Sequence, residues 1–89
     1  MAFYGQDVAQ VKQLGTQLKN KAGDIETAMN ALNKQVNGVE WKGPDADKFK
    51  NEWNSTHVAK LKQVITALRD AGTAAQRNAT EQEQTSSKF

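Results

Sequence analysis

The sequence contains no cysteine, one histidine and one proline. Without cysteine the chain has no disulfide, no thiol nucleophile and no thiolate ligand for zinc, and one histidine cannot build a metal site alone. Carboxylate pairs such as Asp45 and Asp47 lie two residues apart, so on a helix they point to different faces and cannot work together as an acid and a base. We therefore expect no enzyme activity, no metal and no cofactor.

An excess of one charge is also missing. Twelve Lys and Arg residues stand against ten Asp and Glu residues, which gives a net charge of +2 over 89 residues. Because the two signs are interleaved, we expect no nucleic-acid binding, and the mixed charge of the polar faces does not favour a membrane surface. No apolar run is long enough to span a membrane, and residues 1–7 do not resemble the start of a general-pathway signal peptide. We accordingly expect neither feature.

The strongest helix-breaking pair, Gly43 and Pro44, lies close to the middle of the chain. Proline is favoured at the first position of a helix, and Asp45 and Asp47 place negative charge in the first turn, where it is stabilising. The pattern predicts one helix before the pair and a second helix that begins at Pro44.

The predicted fold is all-α, an antiparallel two-helix hairpin with helices over about 6–39 and 44–80. The hairpin domain covers residues 1–80. Residues 81–89 are polar and have no apolar period, so we expect them to form a disordered C-terminal tail.

Apolar residues recur at seven-residue spacing in both predicted helices. The resulting stripes are wider than one neighbouring helix can cover, which favours pairing of two hairpins into a four-helix-bundle dimer. In helix 1 the clearest column is Val11, Leu18, Ile25, Leu32 and Val39. The residues expected in the seam within the hairpin and between its copies are Val11, Leu14, Leu18, Ile25, Met29, Leu32, Val36, Phe49, Trp53, Leu61, Val64, Ile65 and Leu68.

Three further expectations concern particular side chains. The column Lys12, Lys19, Glu26 and Asn33 of helix 1 is expected to be solvated. His57 follows Trp53 by four residues, and we expect it to pack on the buried or half-buried edge of helix 2. In an antiparallel hairpin, large Val11 and Leu14 would meet the small alanines near the end of helix 2.

Trp41 and Gly43 give the corner a more specific character. An aromatic plug in a tight turn would be their structural role. The Trp-Lys-Gly corner between two helices of about 35 residues nevertheless resembles the WXG-motif family of small ESAT-like proteins. The similarity includes Ala46, Phe49 and Trp53 of the second helix and extends over nearly the whole chain.

The resemblance implies a substrate of the type VII (ESX/Ess) secretion system, exported folded, without a cleavable signal peptide, from the cytoplasm. It implies a partner hairpin, either a second copy or a paralogous WXG protein, and a type VII secretion ATPase. Trp41 and Gly43 would form the recognition corner. The family's Tyr-x-x-x-Asp/Glu element has no counterpart after Gly72, since the only tyrosine is Tyr4, so a partner or a looser C-terminal signal would serve.

Two other functions fit an amphipathic hairpin. One is an intracellular adaptor or structural module that pairs with a larger helical protein. The other is a membrane-active effector, which the mixed charges of the polar faces do not favour.

Overall fold

The computed structural model describes residues 4–87, with side chains over 8–84, and the chain forms the predicted all-α hairpin. Helix α1 is Tyr4–Gly38 and helix α2 is Pro44–Glu52. A π-helical turn, Trp53–His57, joins α2 directly to helix α3, Val58–Ser87. The molecule is a rod of 68 × 16 × 13 Å.

The corner is built as the sequence predicts. Gly43 precedes α2 with φ 122°, a backbone conformation that L side chains rarely adopt, and Pro44 opens the helix. The first turn closes when the Asp47 N–H donates to the Gly43 carbonyl at 3.1 Å. On the other side of the corner, the Val39 N–H donates to the Gln35 carbonyl at 3.1 Å.

The interior of the hairpin lies between two columns with seven-residue spacing. On α1 the column is buried at Val8, Gly15, Ala22 and Met29, and on α3 it is buried at Ile65, Gly72 and Ala79. Ile25, Val58, Leu61 and Leu68 pack against it while half-exposed. The strict repeat, over three heptads of α1 and two of α3, indicates that the two helices remain in contact along the rod.

The expected meeting of Val11 and Leu14 with alanines stays a prediction. Two glycines, Gly15 and Gly72, approach each other closely in this part of the hairpin, and Leu14 is 53% exposed. Seven-residue spacing places Gly15 in the central column, whereas Leu14 falls on the flank.

The column Lys12, Lys19, Glu26 and Asn33 is half-buried, so the prediction of a solvated face was also wrong. Its members reach across the hairpin to α3 and the π-helical turn. Lys12 pairs with Glu83, Lys19 donates to Gln76 at 2.8 Å, and Arg69 donates to Glu26 at 3.1 Å. Polar residues that border the apolar seam of α1 are close enough to α3 to form hydrogen bonds and ion pairs with it.

The prediction of a disordered tail from residue 81 was wrong for the described part, because α3 continues to Ser87. No glycine or proline follows Gly72, and glutamate and glutamine favour helices. Glu83 is held by its ion pair with Lys12, and Gln82 is half-buried. Residues 88 and 89 of the predicted tail lie outside the described residues.

His57 is exposed, in contrast to the prediction of a packed edge. Trp53 and His57 are the first and last residues of the π-helical turn, and their ring centroids lie 6.3 Å apart. The imidazole of His57 therefore lies beside the half-buried indole of Trp53 and is itself exposed.

Candidate interaction surface

The two long edges of the hairpin differ in character. One edge carries the cross-helix pairs of Lys12, Lys19 and Glu26, which we call the polar ladder. Each step moves seven residues forward on α1 and seven residues back on α3. A second contact supports the middle step, where Gln76 donates to the Thr16 hydroxyl at 3.2 Å. The polar side chains of the ladder therefore have hydrogen-bond or ion-pair partners within the same hairpin.

The pair of Glu26 and Arg69 is the step of the polar ladder at which the charge of one residue changes the pKa of the other. The Arg69 guanidinium donates two hydrogen bonds to the Glu26 carboxylate, at 3.1 and 3.4 Å. These hydrogen bonds, with the positive charge of Arg69 as a smaller contribution, lower the pKa of Glu26 below its usual 4.5. Both side chains are close to half-exposed, so the pair orients the helices more than it stabilises them.

The opposite edge presents hydrophobic side chains to solvent, and we call it the apolar face. Leu14 and Leu32 of α1 are 53% and 46% exposed, and Val64 of α3 is 46% exposed. Half-buried neighbours lie between them. The face consists of Val11, Leu14, Leu18, Ile25, Leu32, Leu61, Val64 and Leu68. An exposed apolar strip that runs along a rod is typical of a surface that another helix covers.

The aromatic corner lies at the end of the rod. Trp41 is 43% exposed and Phe49 is 47% exposed, and their rings are tilted by 51° with centroids 5.6 Å apart. This is a favourable offset geometry for an aromatic pair. The backbone N–H of Trp41 donates to the backbone carbonyl of Val39 at 3.0 Å, and this hydrogen bond fixes the turn from which the Trp41 side chain extends. Gly43 itself is exposed, with no atom within 4 Å of a Cβ placed on it, so its contribution is its backbone conformation.

The remaining residues of the predicted seam divide between the interior and its edges. Met29 and Ile65 are buried within the hairpin. Val36 and Trp53 are half-buried. The Trp53 indole N–H donates to the Asn33 side-chain oxygen at 3.2 Å, so this tryptophan is anchored inside one hairpin.

Sequence reasoning missed a cluster of asparagines beside Trp53. Asn37 donates to the Asn33 carbonyl at 2.8 Å, and Asn37 and Asn54 exchange side-chain hydrogen bonds at 3.3 and 3.4 Å. The available signal was the four-residue spacing of Asn33 and Asn37, which places them on one side of α1. Their partners lie on the π-helical turn, which the sequence reading did not include.

Two kinds of site, a candidate metal centre and a membrane-spanning helix, are absent from the part of the chain that the structure describes. Residues 4–87 contain no group of three or more His, Cys, Asp or Glu that could hold a metal ion. Neither arm of the described hairpin contains a helix long and apolar enough to cross a membrane.

Comparison of the chain with protein-family models, with curated proteins and with solved structures gives no match. The class of protein defined by the fold is a helical hairpin with one apolar edge, one polar edge and an aromatic corner.

Proposed function

We propose that this chain is a small non-enzymatic protein of the ESAT-like (WXG) type, exported by a type VII secretion system and acting through contacts with other proteins. The observation that carries the proposal is the exposed Trp41–Phe49 pair at a corner whose backbone depends on Gly43. A half-exposed tryptophan on a fixed turn is a common anchor for a protein partner.

Pairing of hairpins is the first part of the proposal. The apolar face leaves Leu14, Leu32 and Val64 about half-exposed on a single hairpin. A second hairpin, either another copy or a paralogue, would cover them in a four-helix bundle. The polar ladder supports this arrangement, because its side chains already have partners and favour an outward orientation of that edge.

The pairing is tested with two charge substitutions on neighbouring positions. Val64→Asp places a carboxylate on the apolar face, whereas Gln63→Asp places one on an exposed position beside it. In sedimentation at micromolar concentration, the original chain and Gln63→Asp should have about twice the mass of one 9.8 kDa chain, and Val64→Asp should be a helical monomer. A monomeric original chain would contradict self-pairing and leave the paralogue as the required partner.

Export is tested with the corner. Trp41→Ala removes an exposed anchor, so the hairpin should remain helical by circular dichroism while the protein accumulates in the cell pellet of its native host. Trp41→Phe keeps an aromatic ring at the corner and serves as the control for folding. Normal appearance of a folded Trp41→Ala chain in the culture supernatant would refute recognition at this corner.

The intracellular adaptor remains the second candidate, because the same apolar face would pair equally with a helix of a larger protein. The adaptor and the exported protein differ in where the unsubstituted chain is found. If the chain is an adaptor, the unsubstituted chain should stay in the cell pellet and be recovered there in complex with that larger protein.

A further inference from the structure

Three asparagines beside Trp53 form one connected network, and the indole fixes the orientation of its amides. The Trp53 ring N–H can only donate, so the Asn33 side-chain atom that it meets at 3.2 Å is the oxygen. That oxygen also lies 3.0 Å from the side chain of Asn37, which therefore presents its NH2 group. The same NH2 group donates to the Asn33 backbone carbonyl at 2.8 Å and to the Asn54 side-chain oxygen at 3.4 Å. Three acceptors thus surround the NH2 group of Asn37.

Asn37 is also the only asparagine in the chain that is followed by glycine. In peptides, a backbone nitrogen can attack the side-chain carbonyl carbon of the preceding asparagine, and glycine hinders this attack least because it has no Cβ. Asn37 is exposed, and no atom lies within 4 Å of a Cβ built on Gly38. The two residues end α1, and a helix end opens at a lower free-energy cost than its middle. Asn37 and Gly38 therefore combine a nucleophile, an electrophile and access to water.

The reaction that this pair supports exchanges an amide for a carboxylate. A bond forms between the Gly38 backbone nitrogen and the side-chain carbonyl carbon of Asn37, and the bond from that carbon to the side-chain nitrogen breaks. The amide proton of Gly38 leaves with the side-chain nitrogen as ammonia. Water then opens the cyclic imide at one of its two carbonyl carbons and gives aspartate or isoaspartate. Water is the only co-reactant, and both products carry a negative charge where Asn37 was neutral.

The new carboxylate cannot take the place of the NH2 group in the network. A carboxylate only accepts hydrogen bonds, and here it would face the Asn33 backbone carbonyl and the side-chain oxygens of Asn33 and Asn54. Half a turn of the Asn33 amide presents a donor to the carboxylate, but it also turns the Asn33 NH2 group toward the ring N–H of Trp53. Two donors then meet, and Trp53 loses its hydrogen bond to α1.

We propose that Asn37 is a self-modification site, at which reaction with Gly38 replaces the side-chain amide by a carboxylate and thereby releases Trp53 from Asn33. The π-helical turn keeps its contact through Asn54, whose NH2 group donates to the side-chain oxygen at position 37 at 3.3 Å and can donate equally to a carboxylate. It loses the contact through Trp53. The inference rests on the network at the end of α1 and does not depend on export.

The chemistry is tested by peptide mapping with mass spectrometry after incubation of the original chain at mildly alkaline pH. Aspartate and isoaspartate should accumulate at position 37 several-fold faster than at any other asparagine. Gly38→Ala is the matched control, because its Cβ meets no atom of the fold but hinders the attacking nitrogen. Conversion at position 37 should fall several-fold in this variant. Equal rates in the two chains, or faster conversion at another asparagine, would overturn the proposal.

The release of Trp53 is tested with Asn37→Asp and Asn37→Ala. Both variants lose the NH2 donor, but only Asn37→Asp places a carboxylate against the side-chain oxygen of Asn33. In nuclear magnetic resonance spectra, the ring N–H signal of Trp53 should shift and exchange with water several-fold faster in Asn37→Asp, and should stay close to its original position in Asn37→Ala. Trp41→Phe identifies which of the two indole signals belongs to Trp53.

The same signal and the same rate of exchange in Asn37→Asp and Asn37→Ala would overturn the release of Trp53. If Asn37→Asp does not fold, the ring N–H signal is followed in the original chain while position 37 converts. A Trp53 signal that does not change as the converted fraction grows would likewise refute the proposal.

Discussion

Gly15 and Gly72 face each other across the hairpin where the two helix backbones approach closely. A Cβ built on Gly15 would lie 2.7 Å from the carbonyl oxygen of Gly72, and one built on Gly72 would lie 2.7 Å from that of Gly15. Both contacts are shorter than real Cβ atoms tolerate, and both involve backbone atoms that cannot rotate away. The pair therefore sets the distance between α1 and α3 in the half of the rod that lies away from the corner.

Gly72→Ala should destabilise the hairpin by about 1–3 kcal/mol, because the helices must separate to admit one methyl group. Gly23→Ala is the matched control, since no atom lies within 4 Å of its added Cβ. Gly23→Ala lies within α1 and should be neutral or stabilising by up to about 1 kcal/mol, as expected for glycine replaced within a helix. Thermal and urea unfolding measure the change in the free energy of unfolding for Gly72→Ala and for Gly23→Ala. Equal changes for the two variants would contradict the close approach of Gly15 and Gly72.

Gly43→Ala should destabilise the hairpin by about 1–3 kcal/mol, for a different reason. No atom would clash with the new Cβ, but φ at this position is 122° and alanine rarely adopts it. Gly38→Ala, at the end of α1, has equally open surroundings and no such φ, so it should change the unfolding midpoint little. A Gly43→Ala variant as stable as Gly38→Ala would show that the corner can relax to an ordinary backbone.

The existence of the hairpin and the position of its corner could be predicted because they depend on local chemistry. Gly43 and Pro44 break and restart a helix whatever surrounds them, and seven-residue columns identify one side of each helix. Which column lies at the centre could not be read from hydrophobicity. The bulkier column of Val11 and Ile25 lies on the flank, and the column with Gly15 lies inside, because close packing of two backbones selects small residues.

The cross-helix contacts depended on partners that a single helix does not reveal. Lys12 and Glu26 read as solvated when α1 is considered alone, and only the register of α3 brings Glu83 and Arg69 to them. The π-helical turn was missed for a similar reason, because its bonds from Trp53 to Asn33 and from Asn54 to Asn37 involve α1.

The C-terminal end of α3 should contribute measurably to stability. Glu83 pairs with Lys12, and Gln82 is half-buried, so truncation after Thr80 removes contacts to the first turns of α1. We expect the melting temperature to fall by several degrees, which corresponds to about 1 kcal/mol for a small domain. A matched pair separates the ion pair from the helix. Glu83→Gln keeps a helix-forming side chain and should lose only a small part of that stability, and an unchanged melting temperature after truncation would contradict packing of this end.

The last prediction concerns pH and the ladder step between Glu26 and Arg69. Because Arg69 lowers the pKa of Glu26 in the folded chain, the carboxylate stabilises the fold above its usual pKa of 4.5, and this contribution is lost as pH falls through the lower folded-state pKa. Glu26→Gln removes the titration while keeping the side-chain length. Its stability should be slightly below that of the original chain at pH 7 and should approach it below the folded-state pKa.

Arg69→Gln is the control, because it removes the guanidinium that donates to the Glu26 carboxylate and leaves the carboxylate in place. The effect of Glu26→Gln on stability should therefore vary less with pH in the Arg69→Gln chain than in the original chain. Urea unfolding from pH 7 to pH 3 provides the comparison. A constant difference for Glu26→Gln across this range would mean that Arg69 does not bind the carboxylate in solution, and the ladder would then lack its step nearest the middle of the rod.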